Sequence, residues 1–232
     1  LPHTERKLEA GQYVVREGHA PTHSCMVVCG FAIRHKIVGD GGRQIVNVHL
    51  SGDMVDLQNS LLGLADHNVQ ALSKMTGAFI PRESLTELAF SRPAVGKALW
   101  IETLIEGSIS REWIANVGRR DALARVAHLL CEFAYRLDAV GLGKECNYEL
   151  PMTQEQLADT LGLTPVHVNR VLKLTRGGAS LLPRTTQETH RRLKHSLAKW
   201  RWLLRLATHV VKVRLAEATT QVLDVESDVL VP

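Results

Sequence analysis

Residues 151–174 decide the fold of the C-terminal half, and their sequence is PMTQEQLADTLGLTPVHVNRVLKL. Thr153 with Gln156 three positions later is the signature of a capping box, so we expect a helix to begin there. Gly162 supplies the left-handed turn that ends this helix. Thr164 can cap a second helix directly after the turn. Two short helices joined by a tight turn predict a helix-turn-helix.

The second helix of this motif has a polar, basic face opposite the apolar side that carries Val168, Val171 and Leu172. A helix fits the major groove, and its first turns reach base edges, so the pattern predicts DNA binding. A generic helical hairpin is the alternative, since it shares part of the pattern. The candidate DNA-binding residues are Thr153, Thr164, Val166, His167, Asn169, Arg170 and Lys173.

The first ninety residues have the pattern of short strands separated by glycines. Apolar or alternating runs occupy residues 12–15, 25–28, 31–38, 44–50 and 77–80. Asp40-Gly41 between two of these runs is a hairpin signal, because both residues tolerate a positive φ. Strands this short, with turns about every 8–12 residues, predict an antiparallel roll or barrel.

After Pro93 the apolar period changes from that of strands to that of a helix. Apolar or small residues follow at mostly three- and four-residue steps: Trp100, Leu104, Gly107, Ile114 and Val117. The predicted helix covers residues 94–120, and a helix this long between two domains favours a dimer seam. A helix lying against the roll is the alternative. Another amphipathic helix is predicted over residues 121–137.

These patterns predict an α+β fold in three parts. Residues 1–93 form an antiparallel β-roll of the jelly-roll type, residues 94–120 a long dimerisation helix, and residues 121–232 a helix-turn-helix domain. Within the last part, residues 175–232 form an atypical tail. No nucleophile–base set, metal-ligand cluster or Gly-rich phosphate loop is evident, so we do not expect an enzyme, a metal site or a cofactor.

Charge is distributed unevenly along the chain, although the net charge is only +4. Residues 164–215 carry 12 Lys and Arg against a single acid, Glu188, whereas residues 1–163 are weakly acidic and residues 216–232 carry four acids and no base. A basic block after an acidic body is typical of a polyanion binder, and a solvated basic face is the alternative.

The composition of the chain indicates the cellular compartment in which the protein works. No apolar run approaches the ~20 residues that span a bilayer, so we expect no membrane protein. The chain opens without a signal core or an initiator Met, which indicates a fragment that starts inside its gene. The four Cys include no CxxC motif and indicate a reducing compartment. We therefore expect a soluble, cytoplasmic protein.

The combination of roll, long helix and helix-turn-helix resembles the Crp/Fnr superfamily of bacterial transcription regulators. Matching positions in the roll are Gly11, Glu17-Gly18, Gly30, residues 40–45, Gly52-Asp53 and residues 80–82. In the DNA-binding part they are residues 119–127, 150–158 and Asn169-Arg170. The resemblance implies a winged helix-turn-helix, a homodimer on palindromic double-stranded DNA, Arg170 as a base-reading residue, and RNA polymerase as a candidate partner.

Three features depart from the family pattern. Members that bind cyclic nucleotides carry an Arg that clamps the phosphate, but residues 53–68 contain none, and His67 falls near its place. Asp56 and Asp66 would repel a phosphate, so we do not expect cyclic AMP to be the effector. Cys25 and Cys29, predicted on one face of a strand, do not suffice for an iron–sulfur cluster. Val166 stands where many oxygen-responsive members carry Glu, so their target site cannot be assumed.

The tail leaves several interpretations open. Residues 175–190 contain no convincing pair of strands for the family's wing, and residues 191–215 form a basic amphipathic segment. That segment is an additional helix on DNA or protein, a membrane-surface helix, or the product of a frameshift.

The favoured function is a sequence-specific transcription regulator whose roll binds an unknown effector or serves only as a scaffold. The competing hypothesis is a ligand- or protein-binding roll whose C-terminus no longer binds DNA.

Overall fold

The computed structural model describes residues 1–141 and 150–176. Its strands are β1 (Thr4–Leu8), β2 (Tyr13–Val15), β3 (His23–Cys29), β4 (Ala32–Ile37), β5 (Arg43–His49), β6 (Asn68–Ala71) and β7 (Met75–Pro81), with a short 3-10 helix at Leu57–Ser60. Its helices are α1 (Arg82–Ser91), α2 (Pro93–Arg119), α3 (Ala122–Ala139), α4 (Gln154–Leu161) and α5 (Pro165–Arg176). The α+β class is therefore confirmed.

The strands form two antiparallel sheets that make the roll. One sheet has the strand order β1-β7-β3 and the other β2-β6-β4-β5. The predicted hairpin at Asp40-Gly41 joins β4 to β5, with Gly41 at φ +83° and the Asp40 carboxylate accepting from the Gly42 N–H at 2.9 Å. A second turn requires glycine sterically, because a Cβ on Gly30 (φ +88°) would lie 2.4 Å from the Lys74 carbonyl oxygen.

Three elements were missing from the sequence prediction: β1, β6 and α1. The prediction that Cys25 and Cys29 lie on one face of β3 was also wrong. Its pairing with β7 shifts register between Val27 and Cys29, so a bulge separates Cys25 from Cys29. Cys25 is fully buried between the sheets, whereas Cys29 is exposed. The two thiols therefore do not share a face, which removes the geometric basis for pairing them at one site.

Helix α2 has two apolar faces with different surroundings. Ile105, Ile109 and Trp113 are buried in an apolar cluster that continues from the roll into α3, α4 and α5. On the opposite side, Trp100, Leu104 and Ile114 are 69%, 58% and 71% exposed. One face of this helix therefore packs against the fold and the other is exposed, while the dimer seam stays a prediction. Val117 lies away from the exposed face and contacts the turn at Gly162.

The described part of the chain contains no helix long and apolar enough to cross a membrane. Helix α3 begins after Asp121, whose carboxylate accepts from the Ala124 N–H at 2.8 Å, and ends two residues beyond the predicted Leu137. Residues 175–190, which lack a convincing pair of strands for the family's wing, and the basic amphipathic segment at residues 191–215 lie almost entirely outside the described residues.

Candidate nucleic-acid interface

Helix α4 is capped as its sequence predicts. The Thr153 hydroxyl accepts from the Gln156 N–H at 3.2 Å, and the Gln156 side chain accepts from the Thr153 N–H at 2.8 Å. Ala158 and Leu161 are buried on its inner side. The helix ends at Gly162, where φ is +61° and a Cβ would lie 3.1 Å from Val117 Cγ1. A side chain would be strained there, so glycine fixes the turn between the two helices.

The turn is also held from outside by Arg125 on α3. Its guanidinium donates from Nη1 to the Leu161 carbonyl at 3.0 Å and from Nε to the Arg120 carbonyl at 2.8 Å. The last carbonyls of a helix have no partner within that helix, and a cation there is electrostatically favourable. Arg125 therefore fixes the helix-turn-helix to α3. The sequence placed it in a family motif but gave no hint of this role.

Helix α5 presents the predicted polar face to solvent. Val168 and Val171 are buried against α3 and α4, and Leu172 is half-buried. The Thr164 hydroxyl accepts from the His167 N–H at 3.3 Å, which caps the first turn. Of the predicted interface residues, Asn169 is half-buried and the others are exposed: Thr153, Thr164, Val166, His167, Arg170 and Lys173.

Three of these side chains form a row along the helix. Val166, Arg170 and Lys173 follow one another at steps of four and three residues, so they lie on one face. Arg170 makes no ion pair within the described ranges, 1–141 and 150–176. Asp159 on α4 is engaged elsewhere, because it accepts from Arg43 at 2.7 Å. The guanidinium of Arg170 is thus available to an external acceptor.

The helix-turn-helix is joined to the roll by contacts that the sequence did not reveal. Arg43, at the start of β5, donates from Nε to Asp159 on α4 at 2.7 Å. Next to it, the Gln44 amide donates to the Thr160 carbonyl at 3.3 Å. On α3, Arg136 donates to Asp53 of the roll at 2.6 Å. These bonds hold α4, and through it α5, in a defined orientation to the roll.

In the described roll interior, neither His67 nor Arg34 offers a free cation to a nucleotide phosphate. His67 is buried, and burial together with the nearby Arg34 lowers its pKa, so the imidazole stays neutral near pH 7. Arg34 itself is engaged, because its terminal nitrogens donate to Glu106 on α2 and to the Val55 carbonyl. Neither side chain can serve as a fixed guanidinium clamp for a phosphate.

Asp56 lies in the same interior and is fully buried. Its Oδ1 accepts from the Cys25 N–H at 2.8 Å, while Oδ2 has no hydrogen-bond partner in the described structure. Burial raises the pKa of this carboxyl to about 7. A phosphate close to Asp56 would raise it further, so the interior favours a neutral or cationic neighbour over an anion.

The raised pKa of Asp56 predicts a pH-dependent stability. The folded protein binds this proton more tightly than the unfolded chain, so the stabilisation is complete below the ordinary pKa of 3.8 and is lost as pH rises through about 7. We expect Asp56→Asn to flatten this dependence and to raise the free energy of unfolding at pH 8 by about 1–2 kcal/mol, the unpaired amide offsetting part of the gain.

Melting temperatures of both proteins between pH 5 and pH 8 test this prediction. Asp40→Asn is the matched control, since Asp40 is exposed in the turn between β4 and β5 and Asn can accept the same Gly42 N–H, so little change is expected. An Asp56→Asn protein that loses melting temperature at pH 8 would show instead that the ionised carboxylate stabilises the roll.

Comparison with known protein families agrees with both parts of the chain. Residues 5–92 match the cyclic nucleotide-binding domain, and residues 124–176 match the Crp-like helix-turn-helix domain. No group of three or more potential metal ligands occurs among the residues that the structure describes.

Individual relatives of known function or structure support the same family assignment. The chain is 34% identical over 182 residues to the transcriptional activator protein FnrL of Cereibacter sphaeroides, which is 76% of this chain and 72% of FnrL. It is 30% identical over 171 residues to the nitrogen fixation regulation protein FixK of Bradyrhizobium diazoefficiens, covering 73% and 71% of the two chains. The solved structure of FixK2 from Bradyrhizobium japonicum matches with a TM-score of 0.71 at 28% identity, over 82% of this chain and 97% of that one. The chain therefore belongs to the Crp/Fnr family of DNA-binding transcription regulators.

Proposed function

We propose that the protein acts as a homodimer that binds a palindromic DNA site through helix α5. The observation that carries this proposal is the exposed row Val166, Arg170 and Lys173 on a helix whose other side is anchored in the core. Arg170 is suited to two hydrogen bonds with a guanine edge, and Val166 to contact with a thymine methyl group. Lys173, further along the helix, is suited to a phosphate.

The other predicted interface residues have supporting roles in this proposal. Thr153 and Thr164 stand at the first turns of α4 and α5, where backbone N–H groups and the positive ends of the helix dipoles favour a phosphate. His167 and Asn169 flank the row on either side and can bond to base edges. Affinity then comes largely from the phosphate contacts and specificity from the base contacts.

The dimer forms through the exposed face of α2 in this account. Trp100, Leu104 and Ile114 lie opposite the buried face of the helix, and Gly107 and Gly118 on the same side allow a second helix to approach closely. An apolar groove of about 810 Å³ adjoins this face and is lined by Leu61 and Phe90 among others. Monomeric proteins rarely expose a contiguous apolar surface of this kind. A second copy of the same helix covers it with matching chemistry.

The division of the chain follows from this arrangement. We propose residues 1–93 as the sensor-like roll, residues 94–120 as the dimerisation helix and residues 121–232 as the DNA-binding part. In this proposal the protein regulates transcription in the cytoplasm and does not catalyse a reaction. RNA polymerase is the partner of the DNA-bound dimer.

Cyclic AMP is not the effector in this proposal, because the neutral His67 and the engaged Arg34 leave its phosphate without a cation. Calorimetric titration of the protein with cyclic AMP should show no binding up to about 1 mM. The affinity for operator DNA should be the same with and without the nucleotide. Micromolar binding of cyclic AMP would contradict this account of the roll.

The experiment that tests the proposed function in the cell is immunoprecipitation of the protein with crosslinked DNA. We expect enrichment of promoter-proximal segments that share one two-fold symmetric sequence. Recovery of DNA without a common sequence would contradict sequence-specific regulation by this chain.

A further inference from the structure

A second basic site lies at the edge of the roll, and its lining includes no residue of α5 and neither Asp56 nor His67. It is a cleft of about 420 Å³ between β1 and β2, the edge strands of the two sheets, and it is closed at one side by the loop that leads into β3. Val15, Pro21 and Phe79 form its apolar floor. We call it the edge-strand cleft.

The edge-strand cleft is lined by four basic side chains: Arg6, Arg16, His19 and His23. No Asp or Glu lines it. The neighbouring acid, Glu17, is occupied elsewhere, because it forms an ion pair with Lys36 and accepts from the Asn68 amide. The positive charge of the cleft is therefore not neutralised from within its own lining.

Both arginines are held by aromatic rings instead of carboxylates. The Arg6 guanidinium carbon lies 4.6 Å from the centre of the Phe79 ring, and that of Arg16 lies 3.8 Å from the centre of the Tyr13 ring. Neither arginine has an ion pair within residues 1–141 and 150–176. Contact with the ring restrains each guanidinium but leaves its N–H groups free to donate.

We propose that the edge-strand cleft binds a small phosphate monoester that carries an apolar group. A phosphate dianion accepts two parallel hydrogen bonds from a guanidinium. Two guanidiniums line this one cleft, so a doubly charged anion is favoured over a singly charged one. Because the arginines are already restrained by contact with the rings, little side-chain entropy is lost on binding. The volume falls within the range of small-molecule sites, and the apolar floor accommodates the ester's organic group.

Titration calorimetry with phenyl phosphate at low salt tests this inference on the full chain. We expect binding with a dissociation constant of about 10⁻⁵–10⁻³ M, weaker binding of inorganic phosphate, and no binding of phenol. Arg6→Gln combined with Arg16→Gln should weaken the affinity for phenyl phosphate by about tenfold or more. Lys7→Gln combined with Lys74→Gln is the control, since it removes the same charge from exposed side chains outside the cleft.

Each other outcome overturns the inference. Equal weakening in the Lys7/Lys74 control would show a general effect of surface charge. Absence of phenyl phosphate binding up to about 10 mM would show that the cleft holds no phosphate ester. A hexaglutamate peptide that binds more tightly than phenyl phosphate, and loses that affinity in the arginine double variant, would assign the cleft to an acidic protein surface instead.

Discussion

Replacing Leu104 and Ile114 with Glu is expected to convert the proposed dimer into a monomer. Both side chains are more than half exposed in the single chain, so the substitutions should leave the fold of each protomer intact. In the dimer they would place four carboxylates in an apolar seam, and burying an unpaired charge costs several kcal/mol. Specific operator affinity should fall by about 10³-fold, toward the non-specific level, because one recognition helix then binds alone.

Sedimentation and DNA titration measure the two effects of this double variant. The matched control is Ile37→Glu with Val38→Glu, which makes the same change at two exposed apolar positions of the roll. The control protein should remain a dimer and keep its operator affinity. If the Leu104/Ile114 variant still sediments as a dimer, the dimer interface does not lie on the exposed face of α2.

Replacing Arg170 with Ala is expected to weaken specific binding far more than non-specific binding. The guanidinium has no acid partner in the described structure, so its loss should leave the melting temperature nearly unchanged. Loss of a bidentate contact with guanine costs about 1–3 kcal/mol in each half-site. Preference for one base pair should relax in both halves of the operator, which is the signature of a base contact.

Lys173→Ala supplies the comparison, because it removes the same charge from the same helix face. We expect it to weaken binding to all sequences alike and to lower the slope of affinity against salt by about one per contact. Competition binding against operators randomised at one position separates the two residues. An unchanged base preference in Arg170→Ala, together with a lower melting temperature, would make Arg170 a structural residue.

The DNA-binding motif was predictable from sequence because local rules determine it. The capping box at Thr153, the left-handed Gly162 and the buried Val168 each follow from residue type and spacing, and each appears in the structure as expected. The long helix was also predictable, to within one residue at each end, from Pro93 and its apolar period.

Other features depend on tertiary contacts that have no local signal. Strand β1 has the sequence TERKL, which lacks apolar alternation, and it is ordered by backbone pairing with β7. The bulge in β3 redirects Cys29 through a register shift that only the partner strand determines. The bond between Arg43 and Asp159 joins residues 116 positions apart. None of these could be inferred from spacing within the chain.

In vitro selection from random double-stranded DNA, with the full chain, tests the central claim most directly. We expect the selected pool to converge on one two-fold symmetric motif, with half-site centres about 10 base pairs apart or a small multiple of that, since each α5 of a dimer enters the major groove on the same side of the duplex. Each half-site should contain a guanine whose replacement weakens DNA binding by the unsubstituted protein but not by the Arg170→Ala protein. A pool that shows no enrichment, or that converges on a single asymmetric half-site, would contradict sequence-specific binding by a homodimer.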